Sequence, residues 1–129
     1  MIRRFVHEDL EAVRSLLLGS GWGGRAEDRE RLAVIIDAAT TALVAEVDGR
    51  VVGFARAVSD GVSNGYLSML VVSPDQRRQG IGRALVTALV GDGPRLTWVL
   101  RAGIAESVPF WEAMGFRRSA IAFERPRSE

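Results

Sequence analysis

The chain has 129 residues, 47% of them hydrophobic, which is enough to bury one substantial core but hardly two, so we expect one domain over residues 1–129. Its net charge is +1 with both signs interspersed, whereas a general nucleic-acid binder needs a sustained basic face. The lack of cysteine and the single histidine exclude disulfides, thiolate metal sites and histidine clusters, so we expect no metal. No apolar run has the length of a membrane span and no signal-peptide pattern precedes Ile2, so we expect a cytoplasmic protein with no membrane partner.

The first third of the sequence predicts a strand and two amphipathic helices. Residues 2–6 are a short strand candidate. Two sets of apolar residues then recur at helical spacing, namely Leu10, Val13, Leu16 and Leu17 in the first helix and Leu32, Ile35, Ile36 and Ala39 in the second. Residues 19–24 between them hold four glycines and Trp22, which predicts a loop.

The middle of the chain predicts three strands. Residues 42–47 and 50–58 are the first two, and Asp48-Gly49 between them favours a two-residue hairpin turn, because both residue types tolerate positive φ angles. Residues 59–65 are polar and contain glycine, which predicts a loop, and Tyr66 begins the third strand.

Residues 67–89, LSMLVVSPDQRRQGIGRALVTAL, predict a pyrophosphate site. An apolar strand, residues 67–72, is followed by a loop at residues 76–82 and by a helix with one apolar stripe of Ile81, Ala84, Leu85, Ala88 and Leu89. The first amides of a helix lack a carbonyl partner within it and favour an anion, and Gly80 and Gly82 let a phosphate approach the backbone. Three arginines add positive charge at this place: Arg77, Arg78 and Arg83.

The remaining elements complete an alternating order. After a break at Gly91-Asp92-Gly93-Pro94, residues 96–102 are the next predicted strand. A short helix is predicted at residues 107–114 and ends at Gly115, and residues 116–125 are the last predicted strand. The full order is strand, two helices, three strands, helix, strand, helix and strand.

The class of phosphate site follows from what the loop lacks. A Walker loop needs a lysine and then Ser or Thr after its second glycine, but Arg83-Ala84 follow Gly82. A dinucleotide fingerprint needs a third glycine or an alanine where this chain has Leu85. The pattern Arg/Gln-x-x-Gly-x-Gly does fit, as Arg77-Arg78-Gln79-Gly80-Ile81-Gly82 after a strand that ends in Val-Val-Ser-Pro. This segment resembles the acetyl-CoA-binding motif of the GNAT superfamily of N-acetyltransferases. The alternatives are a helix N-terminus with surface arginines and no ligand, and an unrelated phosphate-binding α/β domain.

The resemblance extends over nearly the whole chain. Its element order is that of the GNAT fold, and Phe110-Trp111-Glu112-Ala113-Met114-Gly115-Phe116 is similar to the family's Phe-Tyr-x-x-x-Gly-Phe segment. The chain thus looks like a small, single-domain, bacterial-type member. The resemblance implies an α/β (α+β) acyl-CoA N-acyltransferase fold, with a mixed central sheet of about six to seven strands flanked by about four helices.

The resemblance also implies a reaction and the residues that bind the cosubstrate. Acetyl-CoA would donate its acetyl group to a primary amine of a small molecule or peptide, by direct attack of the amine on the thioester. Its pyrophosphate would lie on Arg77, Arg78, Gln79, Gly80, Ile81, Gly82 and Arg83, and its pantetheine arm along Leu70, Val71 and Val72. Phe110 lies on the short helix beside the thiol, and a backbone N–H of Met69 or Leu70 would polarise the thioester carbonyl.

The side chains depart from the family pattern at the catalytic positions. The helix position that commonly carries a tyrosine acid is Trp111, whose indole cannot give up its proton at accessible pH. The fourth strand lacks the glutamate that often serves as base, and freeing an amine of pKa near 10.4 at pH 7 costs roughly 4 to 5 kcal/mol. A water relay, Glu46, Asp60 or Tyr66 could fill that role, and none stands out. Ser107, four residues before Trp111, is the best side-chain candidate for contacting the thiol and is equally a helix N-cap.

The acceptor and the assembly state have no recognisable code in the sequence. By the resemblance, acceptor determinants lie in residues 19–24 and 59–65, where Trp22 either lines the acceptor site or anchors its loop to the core. Family members often pair, so a homodimer is one expectation. The missing tyrosine and glutamate keep a second function open, a GNAT-fold module that binds acyl-CoA without turnover.

Overall fold

The computed structural model describes residues 1–91, 95–103 and 105–127, and these residues form one five-stranded sheet. The strands lie in the order of the sequence: β1 (Ile2–Arg4), β2 (Thr41–Val47), β3 (Arg50–Ser59), β4 (Asn64–Val72) and β5 (Thr97–Val99). Strands β1 to β4 are antiparallel to their neighbours, whereas β5 runs parallel to β4. Most of the predicted break at Gly91-Asp92-Gly93-Pro94 falls on residues 92–94, outside the described residues.

Helices cover both faces of this mixed sheet. Five α-helices are described: α1 (Leu10–Leu18), α2 (Gly23–Ala26), α3 (Arg29–Asp37), α4 (Ile81–Val90) and α5 (Val108–Ala113). Helices α1 to α3 pack on one face, with the predicted stripe residues Leu10, Val13, Leu17, Leu32 and Ile36 buried in the core. Helix α4 packs on the other face through Leu85. None of the helices in the described ranges has the length and apolar character that crossing a membrane requires.

Helix α4 lies close to the sheet because Gly53 of β3 has no side chain. A Cβ at Gly53 would come within 3.1 Å of the Leu85 side chain and 3.3 Å of the Ile81 side chain. The buried side of α4 is centred on Leu85 and Val86. The predicted stripe was therefore wrong in part, since Ala84 and Ala88 are exposed. The contact of Ile81 and Leu85 with β3 turns those two alanines toward solvent.

A β-bulge interrupts β4 in its middle. Phe54 pairs with Val71 and Arg56 pairs with Ser68, so Ala55 alone lies opposite both Met69 and Leu70. Met69 has a φ angle of 59°, which is uncommon outside glycine, although its side chain is only 1% exposed in the core. A bulge bends its strand and increases the local twist. The second half of β4 therefore takes a different direction from the first.

The parallel contact between β4 and β5 is short. The predicted strand at residues 96–102 is paired only over Thr97–Val99, which align with residues 64–66. The ring of Trp98 covers Gly65 so closely that a Cβ on Gly65 would overlap it. Past Val99 the described residues of the two segments no longer pair, and an opening begins between them.

The sheet has five strands in the described part, not the six to seven that we expected. The predicted last strand, residues 116–125, does not form. Its alternating Ile121 and Phe123 are 85% and 99% exposed, so this segment has no neighbouring strand to pair with. Alternation of apolar and polar residues indicates that a segment favours an extended structure, but contacts with a neighbouring strand are needed to stabilise it.

The expected four helices became five because the glycine-rich residues 19–24 are not entirely a loop. Helix α2 begins at Gly23, although glycine disfavours helices. Arg14 of α1 stabilises the end of α2, since its Nε donates to the Ala26 carbonyl at 2.9 Å and its Nη2 to the Glu27 carbonyl at 2.8 Å. Tertiary hydrogen bonds therefore outweigh the local propensity here.

We predict that Gly65→Ala destabilises the protein, because the new Cβ must displace the rigid indole of Trp98. Overpacking of this kind costs about 1–3 kcal/mol in the free energy of unfolding, measurable by urea titration. Gly24→Ala is the matched control, because a Cβ there meets no atom within 4 Å and the position is helical. Equal stability of the two variants would contradict the close contact of Trp98 with Gly65.

Candidate functional site

The opening between β4 and β5 is a cavity of about 680 Å³, within the range of small-molecule sites. It extends from Trp22, which precedes α2, to Phe110 and Trp111 of α5, and residues 67–70 of β4 and 100–103 after β5 complete its walls. The residues that line it are Gly21, Trp22, Leu67, Ser68, Met69, Leu70, Leu100, Arg101, Ala102, Gly103, Ser107, Phe110, Trp111 and Glu124.

Several predicted site residues meet in this cavity. Leu70 and Met69 of the bulge line one wall. Ser107, at the N-cap of α5, and Trp111 lie one helical turn apart and line another wall with Phe110. Two predicted residues lie elsewhere: Val71 is buried in the core beside α1 to α3, and Val72 packs with the α4 cluster.

The predicted pyrophosphate loop lies beyond the end of β4. A 3-10 turn, Pro74–Gln76, follows the strand, and residues 77–80 are exposed to solvent. Arg78 and Gly80 have φ angles of 66° and 82°, so successive amides turn in a way typical of anion-binding concavities. Gly80 is the N-cap of α4, so the free amides of the first turn of α4 adjoin this loop.

Gly82 separates the loop from the cavity by a narrow gap. A Cβ on Gly82 would stand 3.5 Å from the ring of Phe110 and 3.8 Å from the Val72 side chain. The missing side chain therefore leaves room between the first turn of α4 and α5. Phe110 borders both this gap and the cavity.

Two carbonyls on the second half of β4 accept hydrogen bonds from side chains. The indole Nε1 of Trp22 donates to the Leu70 carbonyl at 3.3 Å, and Nε of Arg77 donates to the Val72 carbonyl at 3.2 Å. Arg77, predicted to bind phosphate, thus also holds the strand end. A carbonyl oxygen has two lone pairs, so each of these carbonyls retains capacity for a second donor.

Trp111 is held in a row of aromatic rings. Its ring lies 4.9 Å from that of Phe110 and 5.4 Å from that of Phe116, in edge-to-face geometry in both cases. Such contacts stabilise a ring in one orientation. The indole therefore forms a rigid apolar wall of the cavity at the position where the family commonly has a tyrosine.

None of the three candidate side-chain bases lines the cavity: Glu46 and Asp60 lie away from it, whereas Tyr66 contacts Arg101 of its wall. The Glu46 carboxylate accepts from Arg3 Nε at 2.7 Å, beside β1, and does not line the cavity. Asp60 accepts from the Ser63 hydroxyl and from loop amides, and these hydrogen bonds hold the pKa of its carboxyl well below the usual range. A carboxylate stabilised in this way is a poor proton acceptor.

A polar group that the sequence analysis missed lies on the cavity wall. Arg101 donates from Nε to the Tyr66 hydroxyl at 3.0 Å and from Nη1 to the Glu124 carboxylate at 2.7 Å. Arg101 and Glu124 line the cavity, and among the described residues Glu124 is the only carboxylate that does so. The sequence held no signal for Glu124, because it lies in a segment that was predicted as an ordinary strand. In the same residues no group of three or more His, Asp or Glu side chains could hold a metal ion.

The sequence profile of the Acetyltransferase (GNAT) family matches residues 7–123, and the chain therefore belongs to this family. A curated relative, the chloroplastic serotonin N-acetyltransferase 2 of rice (Oryza sativa subsp. japonica), is 30% identical over 135 residues. That match covers 94% of this chain and 65% of the relative, so the chain spans slightly less than two thirds of the relative's length.

Solved structures show the same fold. Ard1 from Thermoplasma volcanium is 25% identical with a TM-score of 0.79, and the match covers 93% of this chain and 84% of that one. AAC(6')-Iy, in complex with the bisubstrate analog CoA-S-monomethyl-acetylneamine, has a TM-score of 0.72 at 24% identity over 98% and 97% of the two chains. The mixed α/β architecture is thus that of the GNAT fold.

We predict that Trp22 anchors α2 to the sheet as well as lining the cavity, because it packs against the core and donates to the Leu70 carbonyl. Trp22→Ala should lower the free energy of unfolding by about 2–4 kcal/mol, since the ring is only half-buried. Trp22→Phe keeps a ring and loses the hydrogen bond, so about 1 kcal/mol is expected by denaturant titration. Unchanged stability of the alanine variant would leave Trp22 only the role of lining the cavity.

Proposed function

We propose that this chain transfers an acetyl group from acetyl-CoA to a primary amine of a small molecule or peptide. The observation that supports it best is the opening where β5 leaves β4, which adjoins a glycine loop at one end and a polar cavity wall at the other. Membership in an acetyltransferase family adds to this support. We further propose that residues 1–129 act as one domain.

The loop after β4 fits the pyrophosphate of the cosubstrate. Acetyl-CoA supplies the acetyl group already activated as a thioester. The amides of residues 78–83 hold the phosphates, because those at the start of α4 lack carbonyl partners within the helix. Arg77, Arg78 and Arg83 are exposed around them and contribute charge. Phe110 borders both Gly82 and the cavity, so the cosubstrate is proposed to pass from this loop to the cavity beside that ring.

The second half of β4 orients the reacting end. The carbonyls of Leu70 and Val72 each accept one side-chain donor and keep a lone pair for an amide of the pantetheine arm. In the bulge of β4, Met69 and Leu70 lie opposite the single residue Ala55 of β3. A bulge leaves its extra residue without a partner in the neighbouring strand, so a backbone N–H is available there. We assign one of these two N–H groups to the thioester carbonyl, where it stabilises the charge that develops on oxygen.

We assign the deprotonation of the amine to the group formed by Glu124, Arg101 and Tyr66. A carboxylate in the cavity attracts an ammonium ion and can accept its proton, directly or through a water molecule. We also assign to Ser107 the contact with the thiol, because it lines the cavity together with Trp111.

A second candidate is a module that binds acyl-CoA without turnover. The ion pair between Glu124 and Arg101 favours it, because a paired carboxylate accepts a proton less readily. The wall position of Trp111 favours it too, since indole supplies no acid. The two candidates share the cosubstrate site and differ only in turnover.

Release of free thiol from acetyl-CoA, measured with a panel of amines, tests the proposal. The panel includes serotonin, the amine for which the rice relative is named, together with ethanolamine, lysine and a peptide with a free N-terminus. Amine-dependent thiol release supports acetyl transfer. Stoichiometric binding of acetyl-CoA without release supports the binding module, and no binding of acetyl-CoA contradicts both.

We predict that Gly82→Glu weakens acetyl-CoA binding by at least about 100-fold, because it places bulk and negative charge against the pyrophosphate. Gly82→Ala is the control, since its Cβ would meet Phe110 only at an ordinary contact distance of 3.5 Å. Calorimetry gives the affinities and far-UV circular dichroism the fold. Unchanged affinity of a folded Gly82→Glu protein would contradict the assignment of the loop.

Trp111 tests whether this chain needs a general acid. General acid catalysis is worth about 10²–10⁴-fold in principle, but a thiolate of pKa near 8.5 leaves readily. We therefore expect Trp111→Tyr to change kcat by less than about tenfold, and Trp111→Phe to behave alike, because the indole acts as a wall. A pH profile of kcat for both variants checks this. A gain well above tenfold with tyrosine alone would show that an acid was missing.

A further inference from the structure

Two arginines lie beside the cavity on its α2 side. Arg56 of β3 is the cross-strand partner of Ser68, which lines the cavity. Arg25 of α2 follows Trp22 by three residues, and its backbone amide donates to the Trp22 carbonyl at 3.0 Å. We call these two residues the arginine pair. Both are half-buried, and their charges repel each other.

Neither member of the arginine pair has a counter-charge in the part of the chain that is described. No Asp or Glu oxygen among those residues lies within 4.0 Å of either guanidinium. Nε of Arg56 is buried without a hydrogen-bond partner there. Burial and the neighbouring Arg25 lower the pKa of Arg56, and burial, Arg127 and Arg101 lower that of Arg25. Both guanidinium groups nevertheless remain charged at pH 7.

Several other arginines of the described residues differ from this pair. Ion pairs with carboxylates are formed by four of them: Arg3, Arg29, Arg50 and Arg101. Holding two partly buried cations together without a partner costs free energy, which an anion placed between them would offset. Two arginines without carboxylate partners beside a cavity therefore favour a ligand that has an anionic group.

The phosphates of acetyl-CoA do not account for the arginine pair. Ser68, the cross-strand partner of Arg56, precedes the bulge, whereas the pyrophosphate loop follows Val72 at the other end of the strand. Val72 is four positions after Ser68 on β4, but the bulge leaves only three steps of β3 opposite, which is about 10 Å at 3.3 Å per residue. The arginine pair therefore lies on the side of the cavity away from that loop, next to Trp22 and Tyr66.

We propose that the acceptor of this chain is a small amine that also has an anionic group, a carboxylate or a phosphate, bound by Arg25 and Arg56. This inference rests on the proposed acetyl transfer and names the class of its substrate. Ser68, the cross-strand partner of Arg56, lines the cavity next to Met69 of the bulge and so links the arginine pair to the cavity. Glu124, on the same cavity, attracts the ammonium end, so the two charges of the acceptor determine its orientation.

Binding of matched amines to protein saturated with CoA tests this without requiring turnover. O-phosphoethanolamine is compared with ethanolamine for a phosphate, and β-alanine with propylamine for a carboxylate. Hydrogen bonds to charged groups are strong enough that we expect the anionic member of at least one pair to bind about tenfold tighter or more in calorimetry. The pair that shows the preference identifies the anion.

Three variants test whether the arginine pair causes the preference for anionic amines. Arg56→Gln and Arg25→Gln should each remove most of it and leave acetyl-CoA affinity within about twofold, while Arg56→Lys should keep part of it. Arg29→Gln is the control, because Arg29 is exposed, is paired with Glu11 of α1 and does not line the cavity. Circular dichroism and thermal melting verify that each variant is folded.

Two results would overturn the inference. Uncharged amines that bind as tightly as their anionic partners, or a preference that survives in Arg56→Gln and Arg25→Gln, would show that the arginine pair does not bind the acceptor. Acetyl transfer to uncharged amines alone would contradict the inference and leave the proposed function standing. Failure of every amine to bind the CoA-saturated protein would contradict both.

Discussion

The close contact between Trp98 and Gly65 is the constraint on which the site depends. It holds β5 against the start of β4 for three residues, so the sheet is continuous there. Three residues farther along β4, the bulge at Met69 changes the direction of the strand, whereas β5 ends at Val99. The cavity is the space between these two segments, and its walls come from elements that a continuous parallel sheet would have kept apart. A tighter or longer pairing of β4 with β5 would close it.

In this geometry, backbone groups and side chains are proposed to bind different substrates. The cosubstrate is proposed to lie on main-chain groups, namely the amides at the start of α4 and the outward carbonyls of β4, which require only that Gly80 and Gly82 lack side chains. The acceptor is proposed to bind instead to charged side chains of separate elements. Arg25 and Arg56, beside the cavity, are the proposed partners of its anionic group, and Glu124, in the cavity lining, is the proposed partner of its ammonium group. Such a site can change its acceptor by a few substitutions without disturbing the cosubstrate site.

The structure offers a physical account of the two positions at which the sequence departs from the family pattern. Trp111 stands where a tyrosine is common, but edge-to-face contacts with Phe110 and Phe116 make it a rigid wall. A stable thiolate needs little assistance in leaving, whereas the ammonium must lose its proton before attack. The only carboxylate that the described residues place in the cavity is Glu124, which comes from the C-terminal segment and not from β4. The carboxylate proposed to deprotonate the amine thus comes from a different segment than the glutamate that the family often uses.

The sequence by itself determined the family, the element order up to α4 apart from the short α2, the mixed α/β class and the glycine loop. These features are encoded locally, in the period of apolar residues, in turn residues and in glycines that follow one another along the chain. Only the tertiary structure decided the number of paired strands, the bulge and the charged groups of the cavity. The segment at residues 116–125 alternates as a strand does, but pairing needs a neighbour that local sequence cannot supply. Arg25, Arg56 and Glu124 are far apart in sequence, and only the fold brings Glu124 into the cavity lining and the two arginines beside the residues that line it, which no short pattern records.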